Sequence, residues 1–406
     1  MANTIITEAL LQKEVIRLKD KKTVIKQIAN TMYEGVLKQQ GDTVSVQTFP
    51  DTFGVVGGTA GGTIAIRDWA IAKEQLVVNE VYQNGAKVAD IEEVQSNIDI
   101  RSKLAERFAF ASATNEDQFI ASLVTGADSA NILQDRDPLT LSATNTYSAI
   151  TALKRVLSQN NAFESGALFV SPAIFEKIKL EDMFDNSDAG VEVRLNGRVG
   201  RIDGFQILET NNLPHVRTLT MDTIPTATDT MTIAGKVPLT SGRGGYTDLN
   251  VVFTFVASGT AANPGEISIG ANVAAAKANT ILAVNGTGTP GATTYIEVSA
   301  ASRAALKNGF VKMGASFSAT HKINIQSAST LTVSETFTPA TNIFGADAVL
   351  MFASDRMAIN FVSQMDKFKI KDLNDAFSAN ILQEKVYDGK VFAENAKGLA
   401  TIEIAV

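Results

Sequence analysis

Apolar residues recur at steps of three and four, or multiples of them, over residues 96–125, which places them along one side of a helix. Asp99 can cap the beginning of this helix, and Gly126 can end it. A helix of about 25 residues would be about 40 Å long, which is too long for most compact cores. The apolar side consists of Ile100, Leu104, Phe108, Ala111, Phe119 and Leu123.

The segments before this helix change character along the chain. Residues 7–40 carry helical spacing and predict one or two helices, with a basic run at 17–22 that we interpret as a solvated joint. Residues 43–94 alternate as strands do and predict a long two-stranded arm, with a turn at 83–85. Because such a hairpin cannot bury itself alone, we expect it to lie on a neighbour.

The segments after the long helix predict a mixed α and β region. Helices are expected at 147–157, 172–178, 273–284 and 300–308. Strands are expected at 167–170, 198–202, 205–209, 251–256, 266–269, 294–298, 316–318, 322–325, 330–337, 348–353, 367–370 and 399–404.

Composition then narrows the function. The chain has 406 residues, no cysteine and two histidines, His215 and His321, so disulfides, thiolate chemistry and a His-rich metal centre are excluded. A net charge of −7 argues against a dedicated nucleic-acid binder, although it allows a protein that lies beside DNA. We find no secretion signal and no apolar run near the ~20 residues of a membrane span, and we expect a soluble cytosolic product with no membrane partner.

Three motifs that suggest ligand binding fail on their context. The glycines of 57–62 are followed by a strand instead of the Lys-Ser/Thr and helix of a phosphate loop. Gly286, Gly288 and Gly291 spell GxGxxG, but a helix precedes them and a strand is expected after them, which reverses the dinucleotide order. The aspartates of 182–188 lack the calcium-loop spacing. We therefore predict no cofactor, no metal and no catalytic site.

Residues 196–214, NGRVGRIDGFQILETNNLP, carry a glycine-turned hairpin of the kind GxVGxIxGFxI with a Leu-Pro ending. This segment resembles the tailed-bacteriophage major capsid protein family, whose Hong Kong 97-type fold is shared with encapsulin shells. The order of elements matches as well, and the first residues resemble podovirus-type coat proteins. The resemblance covers 1–214 and 345–406. It implies an α+β fold with an N-terminal arm, an extended β-hairpin loop, a long spine helix and an α/β axial domain.

The domain boundaries follow from this resemblance and from a shift to Thr, Ser, Ala and Gly after residue 219. We expect a helical arm at 1–42, an extended loop with peripheral strands at 43–95, and the spine helix with the peripheral domain at 96–142. The axial domain would combine 143–219 with 345–406. Residues 220–344 would form an inserted α+β domain. Phe108 and Phe119 would seat the axial and peripheral sheets on the spine helix.

The resemblance implies a structural subunit of an icosahedral phage head around double-stranded DNA, made in the bacterial cytoplasm. Its partners would be copies of itself in hexameric and pentameric capsomers, a separate scaffolding protein, a portal protein and a decoration protein. Because the sequence begins almost directly with the arm, we expect the scaffolding protein to be separate instead of a fused region. An encapsulin-like compartment, or a binding or hydrolytic module in the insertion, are the alternatives.

Charged residues on the extended arm are the candidate inter-subunit contacts. They are Arg67, Asp68, Lys73 and Glu74, chosen because the arm has no core of its own. Some relatives crosslink subunits through an arm lysine; Lys73 and Lys87 are available, but nothing in their surroundings distinguishes either one.

Overall fold

The computed structural model describes most of the chain, in eleven segments. These are residues 24–34, 43–48, 72–89, 100–142, 144–162, 166–180, 201–238, 246–314, 322–328, 330–372 and 378–405. The predicted strand at 316–318, the glycines of 57–62 with the strand expected after them, the aspartates of 182–188 and His321 lie outside them.

Five α-helices lie within the described residues, and four of them match the predicted helices closely. The helices are α1 Ile100–Ser122, α2 Thr146–Gln159, α3 Pro172–Lys179, α4 Val273–Asn285 and α5 Ala300–Asn308. The long helix is confirmed and spans 23 residues, or about 35 Å at 1.5 Å per residue. Ser171 caps α3 with Pro172 in its first turn, as the sequence indicates.

The strands follow the predicted positions through most of the chain. They are β1 Thr43–Thr48, β2 Ala72–Val77, β3 Val81–Ala89, β4 Ala167–Val170, β5 Arg201–Ile202, β6 Phe205–Glu209, β7 His215–Thr220, β8 Thr230–Pro238, β9 Tyr246–Val256, β10 Glu266–Ser268, β11 Lys312–Gly314, β12 Lys322–Ser327, β13 Leu331–Glu335, β14 Ile343–Phe344, β15 Ala348–Ser354, β16 Asn360–Asp372, β17 Ser378–Lys390 and β18 Leu399–Ala405.

A nine-stranded sheet forms the centre of the molecule. Its order is β11-β12-β7-β15-β4-β6-β5, with β14 also paired to β7 and β18 to β15. Strand β15 is buried at every position, as a central strand should be. Helices α2 and α3 pack on this sheet through Ile150, Leu153 and Ile174. Strands from both sides of 220–344 therefore close one sheet, as predicted.

A three-stranded sheet of order β16-β17-β3 lies against the long helix. Phe108 of α1 packs with Val88 of β3, Phe368 of β16 and Ile381 of β17. Eleven residues further on, Phe119 lies in the large core of the molecule, and its ring meets Tyr82 of β3, Phe361 of β16 and Tyr387 of β17. Both phenylalanines therefore contact the three-stranded sheet, so the expected division of their roles between two sheets is not confirmed.

The region after β7 builds a second core. A four-stranded sheet of order β10-β9-β8-β13 packs with α4 and α5 around residues such as Phe253 and Tyr295. Strands β11 and β12, which lie between α5 and β13 in sequence, extend the nine-stranded sheet instead. The domain boundaries given above stay a prediction.

Four sequence predictions are wrong in detail. Residues 83–85 lie inside β3 instead of forming a turn, because they pair with β17, Gly85 with Leu382. The pairing is close: a Cβ added to Gly85 would lie 3.2 Å from the side chain of Leu382. Residues 294–298 make an isolated bridge through Tyr295 instead of a strand. Ala111 of α1 is exposed, because the buried side passes through 109, 113, 116 and 117.

The fourth wrong prediction concerns residues 24–34, the described part of the N-terminal arm. Ile25–Gln27 form a single 3-10 turn, and a bridge and a turn follow in place of an α-helix. The backbone of this segment is bound by side chains and strands of the rest of the molecule, which competes with helical hydrogen bonding.

Candidate assembly arms and their anchors

Asp117 on the long helix anchors the N-terminal arm. Its carboxylate oxygens accept hydrogen bonds from the backbone N–H of Val24 at 3.2 Å and of Ile25 at 3.3 Å. The side chain of Asn212, between β6 and β7, donates a third at 3.4 Å. Asp117 is completely buried, and burial raises the pKa of its carboxyl to about 6, although hydrogen bonds from these three groups and from the backbone of Lys26 lower it. This side chain therefore joins the arm, the helix and the loop before β7.

A second anchor holds the arm to the beginning of β16. The N–H of Asn30 donates to Ile359 at 2.7 Å, and the N–H of Phe361 donates back to Asn30 at 3.0 Å. The side chain of Asn30 also donates to Asn360 at 2.9 Å. Further along, Glu34 accepts from the N–H of Ser363 at 3.3 Å. The described part of the arm is therefore fixed at both ends.

The two residues before Asp117 bind the hairpin of β16 and β17. Glu116 forms an ion pair with Lys385 of β17, and both side chains are almost fully buried. Asn115 accepts a hydrogen bond from the hydroxyl of Tyr387. Burial raises the pKa of Tyr387 well above its usual range, so the hydroxyl stays a donor. Three consecutive side chains of α1 thus fix the arm and the hairpin in one register.

Aromatic rings fill the space around this junction. Tyr387 stacks on Tyr82 of β3 with ring centres 4.7 Å apart, and it meets Phe119 edge to face at 5.1 Å. Both arrangements are favourable aromatic geometries. Because Tyr82 belongs to β3, this contact also fixes the strand that follows the extended arm.

The base of the extended arm is anchored as well. Strands β1 and β2 form an antiparallel ribbon, and Leu76 and Val78 at its lower end are buried against Val362, Val386 and Phe392. These contacts supply the neighbour that a two-stranded ribbon needs in water. The ribbon therefore starts from a fixed base.

Two of the four predicted contact residues, Lys73 and Glu74, lie on this ribbon. Arg67 and Asp68 lie outside the described residues. Lys73 is exposed on β2. Glu74 lies 3.4 Å from Lys390 and accepts the N–H of Ala393 at 3.0 Å, so it contacts its own chain.

Sequence reasoning missed the anchors on α1. The signal was present, because Glu116 and Asp117 interrupt an otherwise apolar side of the helix at positions that helical spacing places inward. A buried carboxylate needs partners. The sequence alone does not show that these partners are Lys385 and the N-terminal arm, because both lie far from the helix along the chain.

The described residues hold little that resembles a chemical centre. No group of three or more His, Asp or Glu side chains among them could hold a metal ion. An open cavity of about 420 Å³ between α2 and β18 has Arg155 as the titratable side chain among its lining residues. No helix in the described part of the chain has the length and apolarity of a membrane span.

Comparison with known proteins rests on structure. No protein-family model matches the chain, and no curated protein matches it either. A chain from Mycobacterium phage Che8 aligns over 94% of this chain and 90% of its own, with a TM-score of 0.51 and 16% identity. The chain has the Hong Kong 97-type capsid fold. In this fold α1 is the spine helix, and the ribbon of β1 and β2 belongs to the extended loop.

Two further structures align over most of the chain. A capsid structure of the cyanophage P-SCSP1u covers 94% of this chain and 88% of its own, with a TM-score of 0.49 and 12% identity. A mature capsid of bacteriophage PhiM1 covers 92% and 87%, with a TM-score of 0.46 and 11% identity.

Proposed function

We propose that this protein is the major capsid subunit of a tailed bacteriophage and assembles into an icosahedral shell around double-stranded DNA. The observation that carries the proposal is the Hong Kong 97-type fold over 94% of the chain. The anchored arms support it, since the described parts of both are held to the body by specific contacts. A subunit that is repeated around closed symmetry can use many weak contacts of such arms.

The extended loop would make part of these contacts. Arg67 and Asp68, with Lys73 and Glu74 at the ribbon, would pair with charges on a neighbouring subunit. Exposed ion pairs contribute about 0–1 kcal/mol each. Such pairs would stabilise the shell because each one is repeated at every equivalent subunit contact. Glu74 would serve indirectly, because its contacts with Lys390 and Ala393 set the angle at which the ribbon leaves the body.

The proposal also names the partners of the subunit and the compartment in which it is made. The subunit would be made in the bacterial cytoplasm and would form hexameric and pentameric capsomers. A separate scaffolding protein, a portal protein and a decoration protein would complete the particle. The role would be structural, with no reaction catalysed by the subunit.

Electron microscopy of the purified protein tests the function. We expect closed shells or capsomer rings; dispersed monomers under all assembly conditions would contradict the proposal. DNA inside particles from infected cells would separate a phage head from an encapsulin-like compartment, which would hold protein cargo.

The contact residues are tested by charge reversal. We expect Arg67→Glu to reduce shell yield and lower the temperature at which shells dissociate. Lys177→Glu on α3, an exposed lysine, is the matched control and should leave both unchanged. Equal yields and equal dissociation temperatures for the two variants would remove Arg67 from the interface.

A further inference from the structure

One side of the three-stranded sheet is covered by α1, and the other side carries a row of lysines. Phe368 and Ile370 of β16 pack toward Phe108 of α1. Because side chains alternate along a strand, Lys367, Lys369 and Lys371 point to the opposite side. All three are exposed.

The strand register extends this row across the sheet. Lys371 lies opposite Asn380 of β17, and Asn380 lies opposite Lys87 of β3, which is also exposed. Neighbouring strands are about 4.8 Å apart, so Lys87 and Lys371 start about 10 Å from each other. We call the side of the sheet that bears these four lysines the lysine face.

The lysine face has little to neutralise it. Among the described residues, none of the four lysines has an ion pair. Glu384 is the nearest acidic position in the same register, opposite Lys367 at one end, and it accepts a hydrogen bond from Gln83 at 2.8 Å. Among the described residues of this face, four positive charges against one negative charge stand out in a chain whose net charge is −7. A face of this kind attracts a polyanion.

The floor between the lysines is flat and lacks aromatic rings. Leu382 lies at its centre beside Gly85, where an added Cβ would come within 3.2 Å of the leucine side chain. Single-stranded nucleic acids are usually held by bases stacked on aromatic rings, which this floor does not provide. Successive lysines on β16 are two residues, or about 6.8 Å, apart. This spacing equals two phosphate steps of about 3.4 Å along one strand of a DNA duplex.

We propose that the lysine face binds the phosphate backbone of double-stranded DNA without reading its sequence. Lysine suits this role because its ammonium group acts as a point charge and makes no bidentate contact with a base. The negative charge elsewhere on the chain keeps each contact weak, and repetition over a shell multiplies it. The location of the DNA inside a shell rests on the proposed function; the binding itself does not.

Salt dependence measures the number of phosphate contacts. Fluorescence anisotropy of the unassembled full-length subunit with a labelled 30-base-pair duplex would be recorded between 50 and 200 mM salt. Four contacts predict a slope of log K against log salt of about −3.6, or about a 150-fold loss of affinity over this range. In Lys369→Gln/Lys371→Gln, two contacts remain, and the predicted slope is about −1.8 with about a 12-fold loss.

Two control variants test whether a change in slope comes from the charges of the lysine face, from a disturbed fold or from the net charge of the chain. Lys369→Arg/Lys371→Arg keeps the charges and should keep the slope of the wild type. Lys177→Gln/Arg356→Gln removes two exposed charges elsewhere and should also keep it. Two duplexes of unrelated sequence should bind with the same affinity.

Three results would overturn the proposal. The first is a wild-type salt slope near zero, and the second is an equal slope in the glutamine variant and the control variants. The third is binding of poly-glutamate without binding of the duplex, which would indicate that an acidic protein segment occupies the lysine face. The shell assay is independent of these results. Shells with a flat salt slope would refute the DNA contact alone, whereas a subunit that binds duplex and never assembles would refute the capsid function alone.

Discussion

At the residue scale, Asp117 couples the fold to pH. In the folded chain burial holds the pKa of its carboxyl at about 6, against 3.8 for the ordinary group. The contribution of Asp117 to the free energy of unfolding is therefore largest below pH 3.8, where its carboxyl is protonated in both the folded and the unfolded chain. This contribution declines as the pH rises from 3.8 to 6 and is constant at its lower value above pH 6. A shift of about two pK units corresponds to about 3 kcal/mol.

Replacing Asp117 by Asn removes this titration. We expect the free energy of unfolding of the wild type, minus that of Asp117→Asn, to fall by about 3 kcal/mol between pH 3.5 and pH 7. Urea unfolding of unassembled subunits measures it, and subtracting the two curves cancels the other titrating groups. A difference that is constant, or that grows with pH, would contradict the assignment.

The ion pair of Glu116 and Lys385 makes a second prediction at this scale. Lys385→Met leaves a buried carboxylate without its cation and should lower the free energy of unfolding by about 3–5 kcal/mol. The double variant Glu116→Leu/Lys385→Met buries two apolar side chains instead and should recover most of that loss. Equal losses in the single and double variants, measured by urea unfolding, would show that the pair is not coupled.

At the element scale, the long helix was predictable in its length and in its two aromatic anchors, and not in its polar contacts. Helical spacing identified Phe108 and Phe119 because apolar burial follows a period that any helix shares. Ala111 was placed inward wrongly, since the same spacing cannot show that the buried side turns through Ala113 and Asp117. The partners of those polar positions come from distant segments, which local pattern does not encode.

The hairpin of β16 and β17 meets the turn that directly follows the long helix at a glycine. A Cβ on Gly389 would lie 2.7 Å from Leu123 and 2.8 Å from the backbone oxygen of Asn360. Gly389→Ala should therefore destabilise the subunit by about 1–3 kcal/mol, because the backbone cannot move aside freely. Gly291→Ala, where an added Cβ meets nothing within 4 Å, is the matched control and should stay within about 0.5 kcal/mol. Thermal unfolding of both variants would decide; equal midpoints would contradict the close contact.

At the scale of the whole molecule, the sequence predicted the fold class and the order of its parts but not how the sheets divide them. The resemblance at 196–214 placed the chain in a known architecture, and the apolar run at 348–353 placed the centre of the sheet. Strand β3 was partly predicted as a turn, because Gln-Asn-Gly is a turn sequence in isolation. Its pairing with β17 overrides that local preference, and long-range pairing of this kind is invisible to a single sequence.

The N-terminal arm gives a prediction for the whole subunit. Deleting residues 2–22 leaves Val24, Ile25 and their bonds to Asp117 in place, so the free energy of unfolding should change little. Deleting residues 2–34 removes them and the pairing of Asn30 with Asn360, and should cost about 2–5 kcal/mol through the uncompensated buried carboxyl. Urea unfolding of the two truncated subunits measures this. Equal stabilities would show that the arm does not support the body.

The pairing of β3 with β17 has a consequence for synthesis. Gly85 and Leu382 face each other across this sheet although about three quarters of the chain lies between them. At about 5–20 residues per second, a ribosome needs about 15–60 s to make that intervening length. Until then β3 has no partner, the ribbon has no complete base and the lysine face does not exist. A chain that stops early therefore lacks the surfaces by which it could enter a shell, and we expect prematurely ended chains to be left out of growing particles.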